Sequence, residues 1–211
     1  MALRDNVDRY QTGVYAVTRT PRQALVHGEH VAVPPIDEDV TAVVPFNPSF
    51  PATTNLLNIP AHGLELGAGP VWLTTTLAPF PTGLPSDGLT PSWVIVVDAD
   101  NIRLASSKDL ALADTPLVIT DAGAGVLHIS STFMLPASVR PMEGDDLDDL
   151  IEGQRSDHVQ KVYSLTALNN EDAVYEADII VIEGKRHRVT KLTYYIRNDF
   201  YKAIVEKLDL H

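Results

Sequence analysis

A chain of 211 residues with 45% hydrophobic content can bury one generous core or two small ones, and is too apolar to be read as disordered. It has no cysteine, which excludes disulfides, thiolate catalysis and cysteine-ligated zinc; its formal charge of −12 argues against a general nucleic-acid binder, whose grip on phosphates rests on clustered Lys and Arg. No stretch approaches the ~20 apolar residues that span a bilayer, and residues 1–9 are charged where a secretory signal is apolar. A soluble protein made in the cytoplasm, with no membrane partner, is the expectation.

From residue 1 to 44, β-prone runs alternate with breakers. Residues 13–19 predict a strand ended by Pro21, and 29–33 a second that stops at Pro34-Pro35. Asp37-Glu38-Asp39 predicts a turn, followed by a strand over 40–44 closed by Pro45. Residues 46–51, Phe-Asn-Pro-Ser-Phe-Pro, read as a linker. Basic residues are then few as far as 130, and strand-sized pieces recur at 56–59, 71–76, 93–97, 102–105, 117–120 and 126–129, between turn clusters such as Gly67-Ala68-Gly69-Pro70 and Asp121-Ala122-Gly123-Ala124-Gly125. Residues 106–112 predict one short helix, with Ser106 or Ser107 as N-cap and Leu110 facing inward.

Beyond Pro136 the predicted strands are 137–141, 159–165, 177–183 and 187–195, with Gly184-Lys185 as a tight hairpin turn between the last two. The spacing of Phe200, Ala203, Ile204, Val205 and Leu208 suits a short amphipathic helix or a final strand, and the β-prone Tyr201 and Val205 favour strand over 200–208. The fold expected is all-β. Residues 1–45 and 136–211 close into a small β-barrel or sandwich, and 46–135 form an inserted, compact β-rich domain.

The flanks resemble a known family. The order Ala137-Ser138-Val139-Arg140-Pro141, Leu150-Ile151-Glu152-Gly153-Gln154-Arg155, Lys161-Val162-Tyr163-Ser164, Ala177-Asp178-Ile179-Ile180, Gly184-Lys185-Arg186-His187-Arg188-Val189 and Asp199-Phe200-Tyr201-Lys202-Ala203, with Gly13-Val14-Tyr15-Ala16-Val17-Thr18-Arg19 at the start, is similar to the head-closure proteins of tailed bacteriophages. These are also called stopper or head-tail connector proteins. The middle resembles a β-rich segment found inside many phage structural proteins, through Ala61-His62-Gly63-Leu64-Glu65-Leu66-Gly67, Val71-Trp72-Leu73-Thr74-Thr75, Leu84-Pro85-Ser86-Asp87-Gly88-Leu89, 93–100, 102–107 and 120–125; it departs at Gly67-Ala68-Gly69 and at Trp93. The resemblance implies a non-enzymatic virion subunit, assembled in the host cytoplasm into a homo-oligomeric ring, a hexamer by family. It would bind portal or adaptor and tail-tube or terminator proteins, and let DNA slide through without sequence-specific binding. Ring contacts would bury Tyr194, Tyr195, Phe200 and Tyr201. Two other readings stand beside it: a tail-terminator or tail-completion subunit, and a carbohydrate- or receptor-binding tail module with Trp72 and Trp93 as its exposed platform.

No constellation of residues asks for chemistry. The acidic run Glu143, Asp145, Asp146, Asp148, Asp149 and Glu152 lacks the order of a calcium-binding helix-loop-helix, so it reads as a solvated loop or a helix turn with Leu147 and Leu150 inward, and as a channel-facing negative lining if the ring forms. The basic group Lys185, Arg186, His187, Arg188 and Lys191 offers the opposite charge, as a solvated surface or a meeting face between copies. His27 and His30 lack a third metal ligand, and His62 reads as part of a turn. There is no Gly-x-Ser-x-Gly elbow, phosphate loop or dinucleotide fingerprint. No catalytic residue, metal or cofactor is expected.

Overall fold

The computed structural model describes residues 13–21, 34–142, 158–172, 175–196 and 199–208. The chain divides into two compact units, Met1–Val33 with Met134–His211, and Pro34–Phe133. In chain order, β1 (Gly13–Thr18) belongs to the first unit. The second holds β2 (Asp37–Val40), β3 (Ala42–Val44), β4 (Leu56–Asn58), β5 (Trp72–Thr75), β6 (Trp93–Val96), β7 (Asn101–Ala105), the helix α1 (Lys108–Leu112) and β8 (Leu127–Ser130). Strand β9 (Thr132–Pro141) leads back to the first unit, which continues with β10 (Val159–Ser164), β11 (Ile179–Ile182), β12 (Lys185–Tyr195) and β13 (Phe200–Lys207).

The fold is all-β, and the two ends of the chain build a closed barrel in the order β1-β11-β12-β13-β10-β9. Six strands leave a narrow interior, which suits small and β-branched side chains. Accordingly Val17, Ala137, Val162, Ile180, Val189 and Val205 are all buried, and the ladder sets Val17 opposite Ile180 and Val189 opposite Val205. A shift in pairing between Val189 and Lys191 leaves Thr190 as the extra residue, and its hydroxyl donates to the Ile204 carbonyl at 3.2 Å. The β11–β12 turn is Glu183-Gly184, one residue earlier than expected, with φ of 51° and 74°. Two left-handed residues in a two-residue loop match the twist of the flanking strands.

Just past β1, the Arg19 guanidinium grips Asp178 with Nε on Oδ1 at 2.9 Å and Nη2 on Oδ2 at 2.7 Å, while Nη2 also donates to the Ala167 carbonyl at 3.0 Å. Asp178, fully buried, accepts the Asn169 N–H at 2.8 Å as well. Burial lifts its carboxyl above the usual carboxylate range, and the Arg19 fork works against that lift. The pair ties the exit of β1 to the entry of β11, where the ladder is only two residue pairs long.

The second unit packs two open sheets, β2-β8-β5 and β3-β4-β7-β6, around large aliphatics that include Leu57, Leu73, Ile102, Leu104, Leu127 and Ile129. Several expectations are corrected here. The unit starts at Pro34 rather than 46, because β2 pairs with β8 and β3 with β4. Residues 46–51, read as a linker, lie inside the unit: the Phe46 N–H donates to the Ile119 carbonyl at 2.6 Å and residues 51–53 make one 3-10 turn. Asp37-Glu38-Asp39 is strand, not turn. Residues 117–120 form no strand, since Leu117, Ile119 and Thr120 donate to three different partners: the Leu104 carbonyl, the Asn55 side chain and the Thr82 carbonyl. In α1, Ser107 is the N-cap, accepting the Leu110 N–H at 3.2 Å. The inward residue is Ala111, beside Ile95 and Ala105, and Leu110 is exposed, because this tight contact accepts a methyl group rather than an isobutyl one. The strand expected over 29–33, His27, His30 and the acidic run Glu143 to Glu152 lie outside the described residues.

Candidate functional site

The β12–β13 hairpin carries the four aromatic residues expected at a ring contact. Antiparallel pairing sets Tyr194 opposite Tyr201 and Tyr195 opposite Phe200. Rings on facing positions of adjacent strands lie within stacking reach. Tyr194 and Tyr201 stack with centroids 4.7 Å apart, as do Tyr195 and Phe200, and Phe200 also meets Tyr163 at 6.0 Å. The Tyr194 hydroxyl donates to Asp199 at 2.9 Å, which holds the outer ring in place.

Burial splits the four. Tyr194 and Tyr195 are exposed at 45% and 39%, Ile196 beyond them reaches 80%, and Tyr201 is half-buried. Phe200 is 5% exposed, so its proposed part in a contact with another chain is withdrawn; it anchors the hairpin from within, under Tyr195 and beside Tyr163. An exposed pair of tyrosines with an isoleucine, rigidly backed by packed aromatics, has the composition of an interface core.

The basic group on β12 is divided by strand alternation. Lys185, Arg186, Arg188 and Lys191 face solvent, while His187 is buried. Burial depresses the His187 imidazole, whose Nδ1 donates to the Lys185 carbonyl at 3.0 Å, so this ring is a neutral part of the structure. Arg188 is already engaged by Glu171.

Neither tryptophan forms an exposed platform. Trp72 is 3% exposed, its ring stacks on Phe133 at 4.4 Å and its indole N–H donates to the Leu89 carbonyl at 3.0 Å. Trp93 is half-buried against Ile95, Ala105 and Ala111. Both are packing residues of the second unit, and the sugar-stacking reading falls with them.

The histidines of the second unit are committed to structure. His62 accepts the Leu64 N–H on Nδ1 and donates from Nε2 to the Asp98 carbonyl, each at 2.9 Å, which holds the ring in a turn. His128, which sequence reading did not single out, sits between Asp37 and Asp39, 2.8 Å from each. The signal available was the alternation Asp-Glu-Asp, which puts two carboxylates on one face of a strand. Asp87 and Asp98 cap turns: Asp87 accepts the N–H groups of Leu89 and Thr90, and Asp98 those of Asp100 and the Asn101 side chain. The Asp98 carboxyl lies below the usual range because those donors favour its charged form. Among the described residues, no group of three or more His, Asp or Glu is arranged to hold a metal ion. No described helix is long and apolar enough to cross a membrane. Comparison with models of known protein families, with curated proteins and with solved structures gives no match to this chain.

Proposed function

We propose that this chain is a structural subunit of a ring in the neck of a tailed bacteriophage, joining the portal or adaptor of the DNA-filled head to the tail. The observation that carries the reading is a barrel with no free sheet edge that keeps Tyr194, Tyr195 and Ile196 exposed at one hairpin. Closure removes strand addition to the barrel as a route to self-association, so barrels would meet through side-chain faces, and the exposed apolar hairpin is one such face. Repeating one heterologous contact by rotation yields a closed ring. The order of motifs in the two flanks supplies the second support, and the net charge of −12 per copy suits a channel wall that repels the DNA backbone. The role is mechanical and electrostatic, and no catalytic group enters it. A tail-terminator subunit would use the same contacts at a different level of the neck.

Sedimentation of the full chain, alone and with portal or adaptor protein, tests the reading. A ring of identical copies, or a complex with those components, is expected, and Ile196→Asp, at a side chain 80% exposed in the single chain, should shift it to monomers that keep the folded barrel. A wild-type chain that stays monomeric and binds neither component would overturn it.

A further inference from the structure

His128 has a charge environment that the ring reading does not use. It lies on β8, opposite Asp39 of β2, with Asp37 two residues along on the same face. Its Nδ1 is 2.8 Å from Asp39 Oδ1 and its Nε2 is 2.8 Å from Asp37 Oδ1. Ionised carboxylates accept hydrogen bonds and cannot donate them, whereas a neutral imidazole has a single N–H. Satisfying both contacts at once therefore requires the doubly protonated ring. Among the described residues, the other neighbours along this face carry no charge: Thr74 stands opposite His128 on β5, Ser130 follows it by two on β8, and Val126 lies just before that strand. Glu38 alternates to the opposite face of β2.

Strand β2 depends on this contact more than an interior strand would. It lies at the edge of its sheet, paired only with β8, and Val40 is its single buried residue. A two-way bond between Ile36 and Ser131 holds its start, with the Ser131 N–H on the Ile36 carbonyl at 2.8 Å and the Ile36 N–H on the Ser131 hydroxyl at 3.0 Å. Without the cation, Asp37 and Asp39 would face each other across the ring position as like charges.

We propose that His128 is a proton-dependent latch on the edge strand β2: the imidazolium cross-links Asp37 and Asp39 to β8, and loss of one proton turns one ring nitrogen into a lone pair facing a carboxylate, releasing that carboxylate. The direction of titration agrees. Partial burial disfavours the charged ring, the two carboxylates outweigh it, and His128 is raised above the ordinary histidine value. A group raised in the folded state gives its stabilisation in full below the unfolded value and loses it as pH rises through the folded one. The latch is thus closed below the ordinary histidine value and opens as pH rises through the raised one.

The test is a histidine-ring NMR titration of the full chain, assigned with His128→Gln, together with hydrogen exchange of the β2 amides from acid to alkaline pH, corrected for intrinsic rates. The proposal expects His128 to titrate above 6.5, and Asp37→Asn and Asp39→Asn each to lower that midpoint. It expects β2 protection to fall roughly two- to fivefold through the midpoint, the range of a modest surface ion pair, and His128→Gln to remove this pH dependence. Both aspartates are about three-quarters exposed, so these exchanges leave the core untouched. Titration at or below 6.5, or β2 protection that is independent of pH or keeps its dependence in His128→Gln, would overturn the proposal.

Discussion

The barrel and the second unit use the same strand chemistry to opposite ends. Barrel strands β9 and β12 run for 10 and 11 residues and close a continuous ladder, so backbone hydrogen bonds carry the geometry and small side chains fill the interior. The strands of the second unit are only 3 to 5 residues long and lie in two open sheets. There, large aliphatics and side chain-to-backbone bonds from Asn55, Asp87, Asp98 and Asp121 carry it instead. A ladder spreads its stabilisation over many backbone bonds, so outside the buried Arg19–Asp178 pair a single side-chain change in the barrel should matter less than one in a core of short pieces. One consequence is that the two units should break in different ways.

The largest effect expected is at the one buried ion pair of the barrel described above. Arg19→Ala strands Asp178, fully buried, without its cation, and should cost about 3–5 kcal/mol. The double change Arg19→Met with Asp178→Leu should recover most of it, since both charges are then gone; chemical unfolding followed by barrel-specific hydrogen exchange reads both. In the second unit, Ile129→Ala removes a fully buried side chain of β8 and should cost about 2–5 kcal/mol. Its exchange signature should be confined to Pro34–Phe133, so opening that spreads equally through the barrel would erase the distinction between the units. The smallest effect is at the helix cap: Ser107→Ala should cost about 1 kcal/mol and raise exchange at Leu110 while leaving the sheets unchanged.

The barrel was the more legible region, for the same physical reason. Long strands repeat the alternation of apolar and polar residues often enough to be seen at 13–19, 159–165 and 187–195, and Glu183-Gly184 marks the hairpin within one residue. Short strands leave little period to read. Asp37-Glu38-Asp39 has turn composition, and becomes strand because β8 supplies a ladder and His128 supplies the counter-charge. Residues 117–120 have strand composition, but their N–H groups find scattered partners and no ladder forms. Pro48 and Pro51 suggested a boundary where the chain merely turns within one unit. At the hairpin, sequence grouped Phe200 with Tyr194, Tyr195 and Tyr201 by kind, and only the pairing shows which rings back the others. Trp72 was equally silent about its burial against Phe133.

Native mass spectrometry of the full chain, with electron microscopy of the same sample, bears most directly on whether these barrels assemble through their exposed hairpins. The account predicts a species at a whole multiple of 23.0 kDa, seen as a ring with Tyr194, Tyr195 and Ile196 between neighbouring copies. A ring whose contacts leave those three residues in solvent, or a chain that remains single at every concentration and in the presence of portal and adaptor, would contradict it.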